Sequence, residues 1–86
     1  MSNLTDLPNI GKKLEERLHS IGVSSPEELA ALGSVEAVIR IGHATGSDCY
    51  NMLYALEGAI QGVRWHSLPT EIRKQIAAKL DERLHT

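Results

Sequence analysis

Apolar residues recur at Ile10, Leu14, Leu18 and Ile21, the three- and four-residue spacing that lines one side of a helix, and they predict a helix over about 11–20. Its outer face carries Lys12, Lys13, Glu16 and His19, and Gly22 closes it. Ser25-Pro26-Glu27-Glu28 then supplies an N-cap, a proline at the first helical position and a glutamate placed for a capping box. The second helix is short because Gly33 ends it, and Ser34 is expected to cap a third with Val35, Val38 and Ile39 as its stripe. Gly42 and Gly46 bracket a loop. A fourth helix is expected from Ser47 or Asp48 to about Gly62, through Met52, Leu53, Leu56, Ala59, Ile60 and Val63. It is apolar on nearly all sides, which places it in the middle of a bundle, and Ala55, Gly58, Ala59 and Gly62 leave room for close neighbours. Glu57 is its odd residue, with Arg40 and Arg64 as candidate partners. After Leu68-Pro69 the stripe Ile72, Ile76, Leu80, Leu84 predicts a last helix from about Thr70. The expectation is an all-α fold, a compact bundle of about five short helices forming a single domain over residues 1–86.

The stretch Leu7-Pro8-Asn9-Ile10-Gly11-Lys12-Lys13 carries the candidate chemistry. Pro8 removes a backbone donor, and Gly11 permits a tight turn from which a helix begins at once, leaving amide N–H groups unpaired. Such a helix start attracts an anion, and Lys12 and Lys13 add charge beside it. The pattern resembles a helix-hairpin-helix motif, in which DNA-binding versions carry two glycines around the apolar turn residue. Asn9 stands where the first would be, and asparagine tolerates positive φ better than most residues. The resemblance makes Asn9, Ile10, Gly11, Lys12, Lys13 and Arg17 the candidate DNA-contacting residues. The competing reading is a turn that only joins packed helices. A degenerate second hairpin, from Ile41-Gly42 through Gly46 to the fourth helix, is less favoured than an ordinary loop.

A wider resemblance extends through Ser24-Ser25-Pro26-Glu27-Glu28-Leu29, Leu32-Gly33-Ser34-Val35-Glu36-Ala37, Asn51-Met52-Leu53-Tyr54-Ala55-Leu56-Glu57-Gly58-Ala59-Ile60 and Trp65-His66-Ser67-Leu68-Pro69. Together these are similar to the C-terminal domain of the TfoX/Sxy family, from about Leu4 to the segment near Ile76. Members of that family are bacterial regulators of natural competence in which another domain precedes this one. The resemblance therefore implies a regulatory binding module, with DNA, a transcription regulator or a separate TfoX N-terminal-type domain as partner.

Composition narrows the choice. The formal charge is −2 with a pI near 6.0, which counts against strong autonomous DNA binding and leaves room for a local basic patch giving weak, sequence-independent, salt-sensitive affinity. The alternative is a protein-interaction or self-association domain, a homodimer among its forms. Trp65 and His66 are the candidate partner-binding pair, although packing of Trp65 against the last helix is the favoured expectation in a chain with no phenylalanine. A single cysteine excludes an intramolecular disulfide and suits a reducing, cytoplasmic setting. His43 and Cys49 straddle the glycine loop and are read as a surface histidine and a small buried cysteine rather than a metal pair. No nucleophile elbow, P-loop or dinucleotide fingerprint is present, so no enzymatic activity, cofactor or metal is expected. No apolar run approaches the roughly 18 residues of a membrane span, and the first residues lack the features of a signal peptide.

Overall fold

A short 3-10 turn, Leu4–Asp6, tucks Leu4 into the interior and leads through Leu7 and Pro8 into the hairpin. The computed structural model describes residues 3–42 and 46–85, with side chains for all of these except 46–49. Among the described residues, five helices follow the first turn: α1 (Lys12–Ser20), α2 (Pro26–Leu32), α3 (Ser34–Ile41), α4 (Gly46–Gln61) and α5 (Thr70–Leu84). A second 3-10 turn, Trp65–Ser67, separates α4 from α5. No strand occurs among the described residues, so the fold is all-α.

The helix ends follow from local chemistry. Ser25 caps α2 by accepting the Glu28 N–H at 3.1 Å, with Pro26 opening the helix. The Glu28 carboxylate answers by accepting the Ser24 N–H at 3.1 Å and the Ser24 hydroxyl at 2.7 Å, one residue earlier than a strict capping box requires. α4 ends in a Schellman arrangement, the Gly62 N–H reaching Ala59 O at 3.2 Å and the Val63 N–H reaching Gly58 O at 2.8 Å. That closure needs the left-handed backbone that Gly62 supplies at φ 76°. Gly62 therefore serves the turn, not the close helix contact expected of it, and nothing lies within 4 Å of where its Cβ would stand.

One aliphatic cluster joins every helix: Leu18 from α1, Leu29 from α2, Ala37 and Val38 from α3, Leu53 and Leu56 from α4, and Leu80 from α5 are fully buried. The expected stripes lie inward, with Ile10 buried, Leu14, Ile21 and Leu84 packed around the edge, and Ile72 half-buried. The eight residues of α3 pack against each of the other four helices, so it shares the centre of the bundle with α4. Three expectations are corrected. Gly33, not Ser34, caps α3, because Ser34 is turned into the protein, where its hydroxyl donates to Glu57 Oε1 at 2.7 Å. Glu57 takes neither Arg40 nor Arg64; its second carboxylate oxygen accepts from Gln61 Nε2 at 2.7 Å. α4 begins at Gly46, one residue before the expected start. The His43–Cys49 pair and the turn of the candidate second hairpin fall outside the residues whose side chains are described. No helix among the described residues is long and apolar enough to cross a membrane.

Candidate nucleic-acid interface

Asn9 is the pivot of the hairpin. Its backbone adopts φ 71°, the left-handed value a glycine would otherwise supply. Its side chain also fastens the turn to the far end of α4. Nδ2 donates to Val63 O at 3.0 Å and to Ala55 O at 3.3 Å, while Oδ1 accepts the Trp65 N–H at 3.2 Å. The space for that amide exists because residue 58 is glycine. A Cβ there would lie 2.6 Å from Asn9 Nδ2 and 2.7 Å from Val63 O.

α1 starts immediately after this pivot. Its first helical hydrogen bond runs from Glu15 N to Gly11 O at 3.0 Å, and no side chain caps the end. The N–H groups of Lys12, Lys13 and Leu14 thus precede the helical ladder, at the positive end of the helix dipole. The Ile10 N–H is different, since it reaches Leu7 O at 3.5 Å, and the Ile10 side chain is core. Ile10 thus offers the surface no side chain, contrary to its place among the candidate contacts.

Two grooves flank the hairpin. The first, about 390 Å3, is lined by Lys13, Leu14, Arg17, Asn51 and Met52. The second, about 440 Å3, is lined by Asn9, Asn51, Ala55, Arg64 and Trp65. Asn51 belongs to both, so they form one continuous face. Among the described residues, three cations border that face and no carboxylate lines either groove. Lys12 and Gly11 are exposed but line neither, which removes them from the groove although they remain at the helix start.

Trp65 departs from expectation. It is 40% exposed instead of packed on the last helix, because the interior is already filled by aliphatic side chains. The exposed His66 ring sits edge-on to it, 5.0 Å between centroids at 75°. Arg64 and Asn51 were not singled out as site residues from the sequence. The available signals were modest: Arg64 directly precedes the only tryptophan, and Asn51 stands just before the apolar Met52-Leu53 pair of α4.

A third groove, about 500 Å3, lies between the α2–α3 junction and α5, and its walls include Ser34, Glu36, Glu57, Lys79, Glu82 and Arg83. Here opposite charges meet. Arg83 Nη1 stands 2.7 Å from Glu36 Oε2 and Arg40 Nε 3.3 Å from Glu36 Oε1. The Arg83 contact, with Arg40 behind it, holds the Glu36 carboxyl below the usual glutamate range. Glu28 is lowered likewise, first by the Ser24 hydroxyl and then by the Ser24 amide. No group of three or more His, Cys, Asp or Glu side chains among the described residues is arranged to hold a metal.

Comparison with known proteins gives a consistent picture. Residues 1–80 match the model of the TfoX C-terminal domain. The chain is similar to Protein Sxy of Escherichia coli K12, at 32% identity over 78 residues, and it spans 37% of that protein's length while 91% of its own is covered. Two crystal structures from Listeria monocytogenes have the same fold. An uncharacterized protein in a triclinic form aligns with TM-score 0.84 at 44% identity, over 94% of this chain and 92% of that one. A protein of unknown function in a tetragonal form aligns with TM-score 0.82 at 45% identity, over 93% and 98%.

Proposed function

Given that the chain belongs to the TfoX C-terminal domain family, we propose that it is a non-enzymatic regulatory module holding nucleic-acid phosphate weakly and without regard to sequence. The observation that carries this reading is the continuous face around Asn51. Lys13, Arg17 and Arg64 border it with no carboxylate among its described lining residues, on a chain whose formal charge is −2. Cations gathered on one side of an acidic molecule orient it toward a polyanion. The uncapped start of α1 adds amide donors suited to phosphate oxygens. Affinity resting on so few charges is low, so the domain acts beside another binding element, a transcription regulator or a TfoX N-terminal-type domain. The family implies bacterial gene regulation as the setting, natural competence in particular.

A second reading, docking onto a protein or a second copy of the chain, is favoured by one observation: Val63 and Trp65 are large apolar side chains at 36% and 40% exposure. Fluorescence anisotropy of labelled duplex and single-stranded DNA decides between the two. Three neutralised phosphates give a log–log salt slope of about −3, a loss of roughly fortyfold between 50 and 200 mM salt. Lys13→Glu with Arg17→Glu is expected to abolish binding while the helical content stays unchanged. Flat titrations, together with a concentration-dependent oligomer, refute the phosphate reading in favour of protein docking.

A further inference from the structure

We infer that the Trp65 groove holds an unpaired base, so that the ligand of this face is single-stranded nucleic acid in preference to closed duplex. The inference rests on the phosphate reading above and adds the part of the nucleotide that phosphate contacts leave unread.

The backbone of Trp65 is held on both sides. Its N–H donates to Asn9 Oδ1 at 3.2 Å, and its carbonyl accepts the N–H of Leu68, a residue buried to 2% exposure, at 3.2 Å. An aromatic ring on a fastened backbone, 40% exposed and braced at its side by His66, is presented to solvent at little further entropic cost on binding. Single-stranded nucleic acid is held by this kind of platform, an aromatic face for a base beside a cationic track for the backbone. Both parts are here: Arg64 shares the groove with Trp65, and Lys13 and Arg17 continue the track across Asn51. The amide of Asn9 is committed to three main-chain bonds, which leaves exposed Asn51 as the side chain with both donor and acceptor where the grooves meet. A volume of about 440 Å3 falls within the range of small-ligand sites. In a closed duplex the faces of the bases are stacked on one another, so a protein ring reaches them only after unstacking or unpairing.

Trp65 is the only tryptophan in the chain, so its own fluorescence reads the contact without any substitution. The protein is titrated with labelled oligo(dT), with an abasic deoxyribose-phosphate oligomer of equal length, and with a duplex. Label anisotropy and tryptophan emission are recorded together at low salt. The expected result is strong quenching by oligo(dT), little by the abasic oligomer or the duplex, and roughly tenfold tighter binding of oligo(dT) than of the abasic oligomer. Trp65→Ala, checked for helicity by circular dichroism, is expected to remove that tenfold preference, and Trp65→Phe to restore part of it. Equal affinity for both oligomers with an unquenched tryptophan overturns the stacking and leaves phosphate binding intact. No anisotropy change with any oligomer overturns both. A tryptophan signal that depends on protein concentration alone assigns Trp65 to self-association and likewise overturns the inference.

Discussion

Asn9 performs two tasks that usually fall to different residues, a left-handed turn at φ 71° and three side-chain bonds to the main chain of a distant segment. Separating them is informative. Asn9→Gly restores the glycine pair of DNA-binding hairpins and keeps the turn, yet it removes the amide. It is therefore expected to lower stability in urea unfolding by about 1–3 kcal/mol. Gly58→Ala probes the same contact from the other side. In an exposed helix interior that change stabilises by about 1 kcal/mol. Here the new methyl would meet the Val63 carbonyl at 2.7 Å as well as the Asn9 amide, and the carbonyl belongs to main chain held by the α4 closure. Overpacking of about 1–3 kcal/mol is expected to outweigh the helix gain and lower the melting temperature. The tolerance of Asn9 for positive φ was legible from its residue type. Its bonds were not, because their partners lie 46, 54 and 56 positions along the chain and no local pattern encodes them. Trp65 was misjudged for a related reason: a large aromatic suits a core, but the available volume was already taken by leucines.

Helices were the most legible part of the molecule, since apolar spacing and caps act within a few residues. The start of α2 is the clearest instance, with Ser25 and Pro26 in the roles their order suggests and Glu28 reaching back one residue further, to the Ser24 N–H. Ser25→Ala is expected to cost about 1 kcal/mol, read as a shift in denaturation midpoint with unchanged slope. The start of α3 shows where local reasoning stops. Ser34 has the side chain of a cap, but a carboxylate from α4 lies within its reach, and the hydroxyl takes that partner instead. Glu57 then occupies the N-terminal end of α3, where a negative charge is favourable, which accounts for a carboxylate on a mostly apolar helix.

At the scale of the whole molecule, charge is sorted: cations collect around Asn51 while Glu36 ties α3 to α5 through Arg83. Net charge was legible from composition, whereas its sorting depends on which helices become neighbours. Because the carboxyls of Glu28 and Glu36 are both held below their ordinary range when folded, their contribution to stability is present above the unfolded-state pKa and is lost as pH falls through the folded-state values. Stability is expected to decline in that acidic window, and Glu36→Gln to flatten the decline, as measured by thermal unfolding across a pH series. The composition of the interior has a spectroscopic consequence. None of the buried cluster residues is aromatic, and Trp65, Tyr50 and Tyr54 lie at the surface or the edge of the cluster. In most proteins, loss of near-ultraviolet dichroism with helices retained signals a loosened core. Here the tryptophan band comes from the groove beside Arg64, so its disappearance reports a change in that groove and is not by itself a sign that the leucine interior has loosened.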